Sequence, residues 1–137
     1  MILDAFDDLN WLAALVAALA WFAFSAVWYS VPPLSRAWQS AARVRMDEGP
    51  PLAAVLLPTA IGYFVTSVGI ALLAKAIGAT NVADGIALGV VLGVAFGVVG
   101  AVVTQLYENK GGAYWLINGL NAVIAFSIVG VIVSVWD

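Results

Sequence analysis

The chain contains no cysteine and no histidine. Without cysteine there is no disulfide, no thiol nucleophile and no thiolate metal site. Without histidine there is no imidazole ligand and no side chain whose ordinary pKa suits acid–base chemistry near neutral pH. Charge is scarce as well: 9% of the residues are charged and five are basic. The net charge of −3 rests largely on Asp4, Asp7 and Asp8, so no basic footprint for nucleic acid exists. No catalytic constellation, metal site or cofactor site is expected from these residues, and the chain reads as a protein that is not an enzyme.

What is present in excess is apolar surface. Of 137 residues, 64% are hydrophobic, against roughly half in a soluble globule. Four stretches, 9–29, 52–78, 85–107 and 113–136, reach the roughly 20 residues that about 30 Å of hydrocarbon requires. Strands are excluded because the runs are too long and lack the alternation of barrel segments. The expected fold is therefore all-α, an integral membrane four-helix bundle forming one domain over 1–137. Lys75 alone is charged within these stretches, one turn from an end, where its stem carries the ammonium to the interface. The acidic tail before the first stretch is unlike the positive leader of a secretory signal, so that span is expected to remain in the mature protein.

Orientation follows from the basic residues. Arg36, Arg43 and Arg45 lie between the first two spans and Lys110 between the last two, while only Lys75 lies on the opposite side. The positive-inside rule puts the arginine-bearing connection in the cytoplasm and both termini outside. Trp28, Tyr29, Tyr107, Tyr114 and Trp115 then mark the inner interface, and Trp11 and Trp136 the outer one.

The connections 79–84 and 108–112 are short and make their flanking spans antiparallel neighbours. In the first, Asp84 is expected to cap the third span; in the second, Gly111 and Gly112 supply the tight turn. The connection 30–51 is longer. Pro32 and Pro33 are expected to end the first helix, and 34–46 to form an interfacial helix with Leu34, Trp38 and Ala42 on one side. Trp38 would sit at headgroup depth, with Arg36 and Arg43 available to lipid phosphates. Pro58 is expected to kink the second span.

Two patterns stand out within the spans. Gly85, Gly89, Gly93 and Gly97 recur every four residues, a glycine zipper that lets two backbones approach closely; such packing holds helices together in lipid. Gly62, Thr66 and Gly69 offer a second small-residue face. Polar residues gather at the arginine-bearing end: Ser25, Thr59, Thr104, Gln105, Asn118 and Asn121. Asn118 and Asn121 are three apart and share a helix face. Bare carboxamides are costly in hydrocarbon, so they must meet other helices or water. One reading is interhelical hydrogen bonding; the other is a polar vestibule open to the cytoplasm, with Trp21 and Tyr63 as its floor.

Asn10-Trp11-Leu12, Trp28-Tyr29-Ser30 with a proline soon after, Trp38, and Trp115-Leu116-Ile117-Asn118 resemble a widespread bacterial group, the domain of unknown function 1761 family. The resemblance covers nearly the whole chain. It departs at Val31, an extra residue before the proline, and at Asn121-Ala122, where members often carry an aromatic and a histidine. A role for that histidine does not carry over. The resemblance implies a small multi-pass protein of the bacterial cytoplasmic membrane with no established activity.

Three functions remain open. The leading one is a structural or accessory membrane protein that contacts lipids and self-associates, or joins a larger complex, through the zipper helix. The alternative is a small-solute transporter or channel with a cytoplasmic-side vestibule. No span holds an aspartate or glutamate, which disfavours proton-coupled antiport. The third, a lipid-modifying enzyme, would need Asp47, Glu48 or Glu108 as acid or base, and their spacing suggests no pair.

Overall fold

The computed structural model describes residues 2–136, and no strand occurs among them. A 3-10 segment, Ile2–Asp8, precedes α1 (Trp11–Ser30), α2 (Pro32–Ala42), a 3-10 turn at Met46–Glu48, α3 (Leu52–Ile77), α4 (Val82–Tyr107) and α5 (Ala113–Val135). Helices α1, α3, α4 and α5 are each long and apolar enough to cross a membrane, so the protein is a multi-pass, all-α membrane protein.

Helix ends follow local chemistry, and several differ from expectation. The Asn10 side chain caps α1 by accepting from the Ala13 amide at 3.0 Å, and its own amide group donates to the Trp136 carbonyl at 3.1 Å, tying the two chain ends together. Val31 is extended, as a residue before proline must be, and it alone separates α1 from α2. Pro32 and Pro33 therefore do not simply end a helix; they occupy the first positions of the next, where a missing N–H costs nothing. That next helix also stops at Ala42 rather than Met46, because Arg43 takes a left-handed conformation at φ 61°. Asn81, not Asp84, caps α4. The Asn81 side chain accepts from the Asp84 amide at 2.9 Å while the Asp84 carboxylate takes the Thr80 amide and the Asn81 side-chain N–H, a reciprocal cap. Gly78 ends α3 at φ 74°, with a 2.8 Å bond from the Ala79 amide to the Ala74 carbonyl closing the last turn. At the turn between α4 and α5 the left-handed residue is Asn109, at φ 55°, and neither Gly111 nor Gly112 has a positive φ. Helix α3 continues unbroken through Pro58.

The core forms where α1, α3 and α5 meet. Ala13, Ala14, Ala17 and Ala18 give α1 a face of minimal side chains, and all four are buried. Below them Trp21, Ile70, Ala125 and Val129 close a cluster walled by Phe24, Tyr63 and Phe126. Helix α4 packs on α5 and makes no comparable contact with α1 or α3.

The α4–α5 contact is where the glycines act. A Cβ on Gly85 would lie 2.6 Å from the Gly130 carbonyl oxygen, one on Gly93 2.6 Å from the Val123 Cα, and one on Gly89 would overlap the Ser127 backbone. One on Gly97 would collide with the Ala122 Cβ. Four-residue spacing overshoots a turn of 3.6 residues, so the stripe should drift about 40° around the helix per step. Between Gly93 and Val98, however, α4 is π-helical, and a π turn rotates less per residue. The π segment offsets the drift and returns Gly97 to the α5 side. The zipper face is thus filled from end to end by the chain's own last helix. By contrast a Cβ on Gly62 or Gly69 would have nothing within 4 Å, and the buried residues of α3 are Ser67, Ile70, Ala71, Leu72 and Ala74.

Candidate functional site

The polar residues of the arginine-bearing end sort into three roles. Asn121 is buried and donates to the Ser25 hydroxyl at 3.2 Å, joining α5 to α1. One turn nearer the end, the Tyr29 hydroxyl donates to the Asn118 side-chain oxygen, a second α1–α5 link. The shared helix face of Asn118 and Asn121 is therefore turned to α1. Gln105 stands apart from both: its side-chain oxygen accepts from the Trp115 amide at 3.1 Å and caps the start of α5. Thr59 donates to the carbonyl of Val55 in its own helix at 2.6 Å.

Ser25, Tyr29, Thr59 and Asn118 meet around one cavity of about 460 Å³ between α1 and α3. Phe22, Ala26, Leu52, Val55, Leu56 and Tyr63 line it as well. Its inner end rests on the Tyr63 ring, which stacks on Trp21 with centroids 3.9 Å apart and planes 10° from parallel. Phe126 meets Trp21 edge-on at 5.4 Å. At its other end lie Trp38 of α2 and Met46 of the following turn, the Trp38 ring edge-on to Tyr29 at 5.6 Å. No charged residue lines the cavity.

The cavity exists because α3 leaves the bundle in its first half. Its buried residues begin only at Ser67, whereas Leu52, Val55 and Leu56 are 68, 40 and 41% exposed. Helix α2 folds back over the gap and is pinned by the α4–α5 turn. The Gly111 amide donates to the Ala41 carbonyl and the Lys110 ammonium to the Ala42 carbonyl at 2.8 Å, satisfying two orphan carbonyls at the C-terminus of α2. A Cβ on Gly111 would lie 3.0 Å from the Ala41 Cα, so this contact needs the glycine for its closeness. Lys110, which sequence reasoning used only for orientation, is thus a helix cap. Arg36 on α2 and Arg43 just past its end are exposed, while Trp38 is partly buried against Tyr29. Arg45 pairs with Asp47 at 3.2 Å and Glu48 at 3.6 Å on the exposed turn.

Sequence reasoning picked out Ser25, Thr59 and Asn118 by depth but assigned Tyr29 to an aromatic belt and Trp38 to the headgroups. Both border the cavity. The available signal was that Tyr29 and Asn118 fall at the same depth on adjacent spans. It could not be used without knowing that α1 and α5 are neighbours. No group of three or more acidic side chains suited to a metal occurs among the described residues.

The pattern of the family described as Protein of unknown function (DUF1761) matches residues 12–134. The chain belongs to that family. The match spans all four membrane helices and both polar links of the cavity, Tyr29–Asn118 and Ser25–Asn121. No curated protein and no solved structure matches the chain significantly.

Proposed function

We propose that this DUF1761 protein is a non-catalytic accessory protein of the bacterial cytoplasmic membrane that holds a ligand in the cleft between α1 and α3. The observation that carries this reading is the cavity itself: about 460 Å³, within the range of small-molecule sites, apolar over most of its wall, with uncharged polar groups converging from three helices. The distribution of Arg36, Arg43, Arg45 and Lys110 supports placing it on the cytoplasmic side, with both termini outside. The glycine zipper serves this role by locking α4 on α5, which leaves α1 and α3 to form the cleft. Association with a second copy or a larger complex would then use a surface other than the zipper, and the unfilled face at Gly62, Thr66 and Gly69 is the one with the small residues for it.

The test is direct. Protein purified in mild detergent is extracted and its small molecules identified, in parallel with Ala26→Trp, which fills the cleft. A compound present with the wild type and missing from the variant supports the reading; identical extracts count against it.

A transporter reading draws on the same cavity as a vestibule. Beneath it, however, lie the Trp21–Tyr63 stack and the buried Ala17, Ile70, Ala125 and Val129, and beyond them the buried polar side chains are only the single hydroxyls of Ser67 and Ser134. A passive route would need the core to open, so liposomes carrying the protein are expected to show no flux of small polar solutes above empty vesicles.

A further inference from the structure

We infer that the occupant of the α1–α3 cleft is an uncharged lipid with a hydroxyl or carbonyl head, taken sideways from the inner leaflet rather than from the cytoplasm. This inference rests on the ligand-binding reading above and specifies the ligand.

The direction of access comes from the walls. The gap lies between two membrane-spanning helices, and α3 residues Leu52, Val55 and Leu56 line the cavity while remaining substantially exposed on the surface of the bundle. In a spanning helix such surface meets acyl chains. The end toward the cytoplasm is different: Trp38 and Met46 lie across it, and α2 is held there by the Lys110 and Gly111 bonds. A water-borne solute would have to displace a pinned helix. A lipid need only slide its head between α1 and α3 while its chain stays in the bilayer. The volume agrees, being enough for a head and the first part of a chain.

The charge of the head comes from the lining. No arginine or lysine borders the cavity to neutralise a phosphate or carboxylate, and no acidic group borders it to hold an amine. An ionised head would therefore be desolvated without compensation. The polar groups that are present retain hydrogen-bonding capacity. Asn118 spends its oxygen on Tyr29 and keeps an amide N–H₂ with no partner among the described residues. Ser25 accepts from Asn121 and keeps its own O–H to donate. Thr59 donates to Val55 and keeps oxygen lone pairs. Donors and acceptors are thus both left unspent, which suits a carbonyl oxygen or a hydroxyl. Four aromatic residues, Phe22, Tyr29, Trp38 and Tyr63, border the space and give a flat or unsaturated head surfaces to lie against.

The experiment uses the full chain in bilayer discs and three diazirine photoprobes: a long-chain alcohol, the phosphate monoester of the same chain, and a short water-soluble alcohol. The long-chain alcohol is expected to label segments containing Tyr29 or residues 52–63. Unlabelled long-chain alcohol should compete, and the phosphate should not. Ala26→Trp and the less intrusive Val55→Trp should each abolish the label, and Asn118→Leu should weaken apparent affinity about threefold to tenfold, the loss of one hydrogen bond. Equal competition by the phosphate would overturn the uncharged head. Labelling by the short alcohol as strong as by the long one would overturn the bilayer origin while leaving the cleft as a ligand site. Labelling that survives both tryptophan variants would overturn the site, and the ligand-binding reading with it.

Discussion

Replacing Gly89 by alanine adds one methyl group and should have opposite consequences from the same change eleven residues on. At Gly89 the new carbon would overlap the Ser127 backbone, and backbone cannot rotate away as a side chain tip can. The two helices must then separate by the better part of a methyl radius, and the separation is felt at Gly85 and Gly93, whose built Cβ positions are themselves 2.6 Å from α5. Overpacking of a well-fitted interface costs about 1–3 kcal/mol, and this site belongs in the upper half of that range because all the near atoms are backbone. Against this stands a gain of about 0.8–1 kcal/mol in helix propensity on leaving glycine. The net loss is about 1–2 kcal/mol. At Gly100, in the same helix, a Cβ meets nothing within 4 Å, so Gly100→Ala keeps only the propensity gain and should stabilise by up to about 1 kcal/mol. Reversible unfolding of both variants in mixed micelles, followed by tryptophan fluorescence, measures the difference; light scattering on the same samples records the assembly state. Loss of stability at Gly89 in a particle of unchanged mass is the expected result. Equal stability of the two variants would refute the assignment of the zipper to the α4–α5 contact. Dissociation of an oligomer without loss of monomer stability would instead return the zipper to a second copy.

Further outcomes follow from the same contacts. Tyr29→Phe removes the link to Asn118 and should cost about 0.6 kcal/mol, and less than 2, in the same unfolding measurement, the usual scale for a hydrogen bond between membrane helices. Lys110→Met removes the cap from α2 and should speed amide exchange and proteolysis around Arg43 with little change in global stability; protection equal to wild type would show that the ammonium does not hold the helix. Because the chain has no cysteine, single replacements are clean reporters of topology. Ser40→Cys on α2 should resist a membrane-impermeant maleimide added to intact cells, and Asp7→Cys should react, the reverse pattern contradicting the proposed orientation.

The spans were legible because lipid imposes a length and a polarity that a chain cannot disguise, and their ends agree closely with the apolar runs. Faces were much less legible. In water, the buried side of a helix is marked by apolar residues against polar ones; here each span is apolar nearly all round, so that contrast is lost. What remains is size, and size shows that something comes close without showing what. The spacing of Gly85, Gly89, Gly93 and Gly97 signalled close approach, but their partner depends on the antiparallel register with Gly130, Ser127, Val123 and Ala122, and that register is set by a five-residue turn. Even the regularity of the stripe was deceptive, since an unmodified α-helix would have carried Gly97 away from α5, and the π segment that prevents this has no sequence signature beyond the glycines themselves.

The cavity lay further out of reach because three separate departures from an ideal bundle create it. Helix α3 splays over its first half, α2 starts at Pro32 instead of ending α1 there, and Arg43 stops α2 early enough for Lys110 and Gly111 to seize its last carbonyls. Each is local, and none is a matter of hydropathy. Ser25, Thr59 and Asn118, grouped by depth in the sequence, all line the cavity, since a polar group in a span must be answered at its own level in the bilayer. The residue that answers Asn118 is Tyr29, whose ring meets Trp38 and whose hydroxyl belongs to the cleft. That double membership makes the cleft uncharged yet not inert: its polar groups hold one another across α1 and α5 and keep unspent donors on the side facing α3, the helix that has moved away.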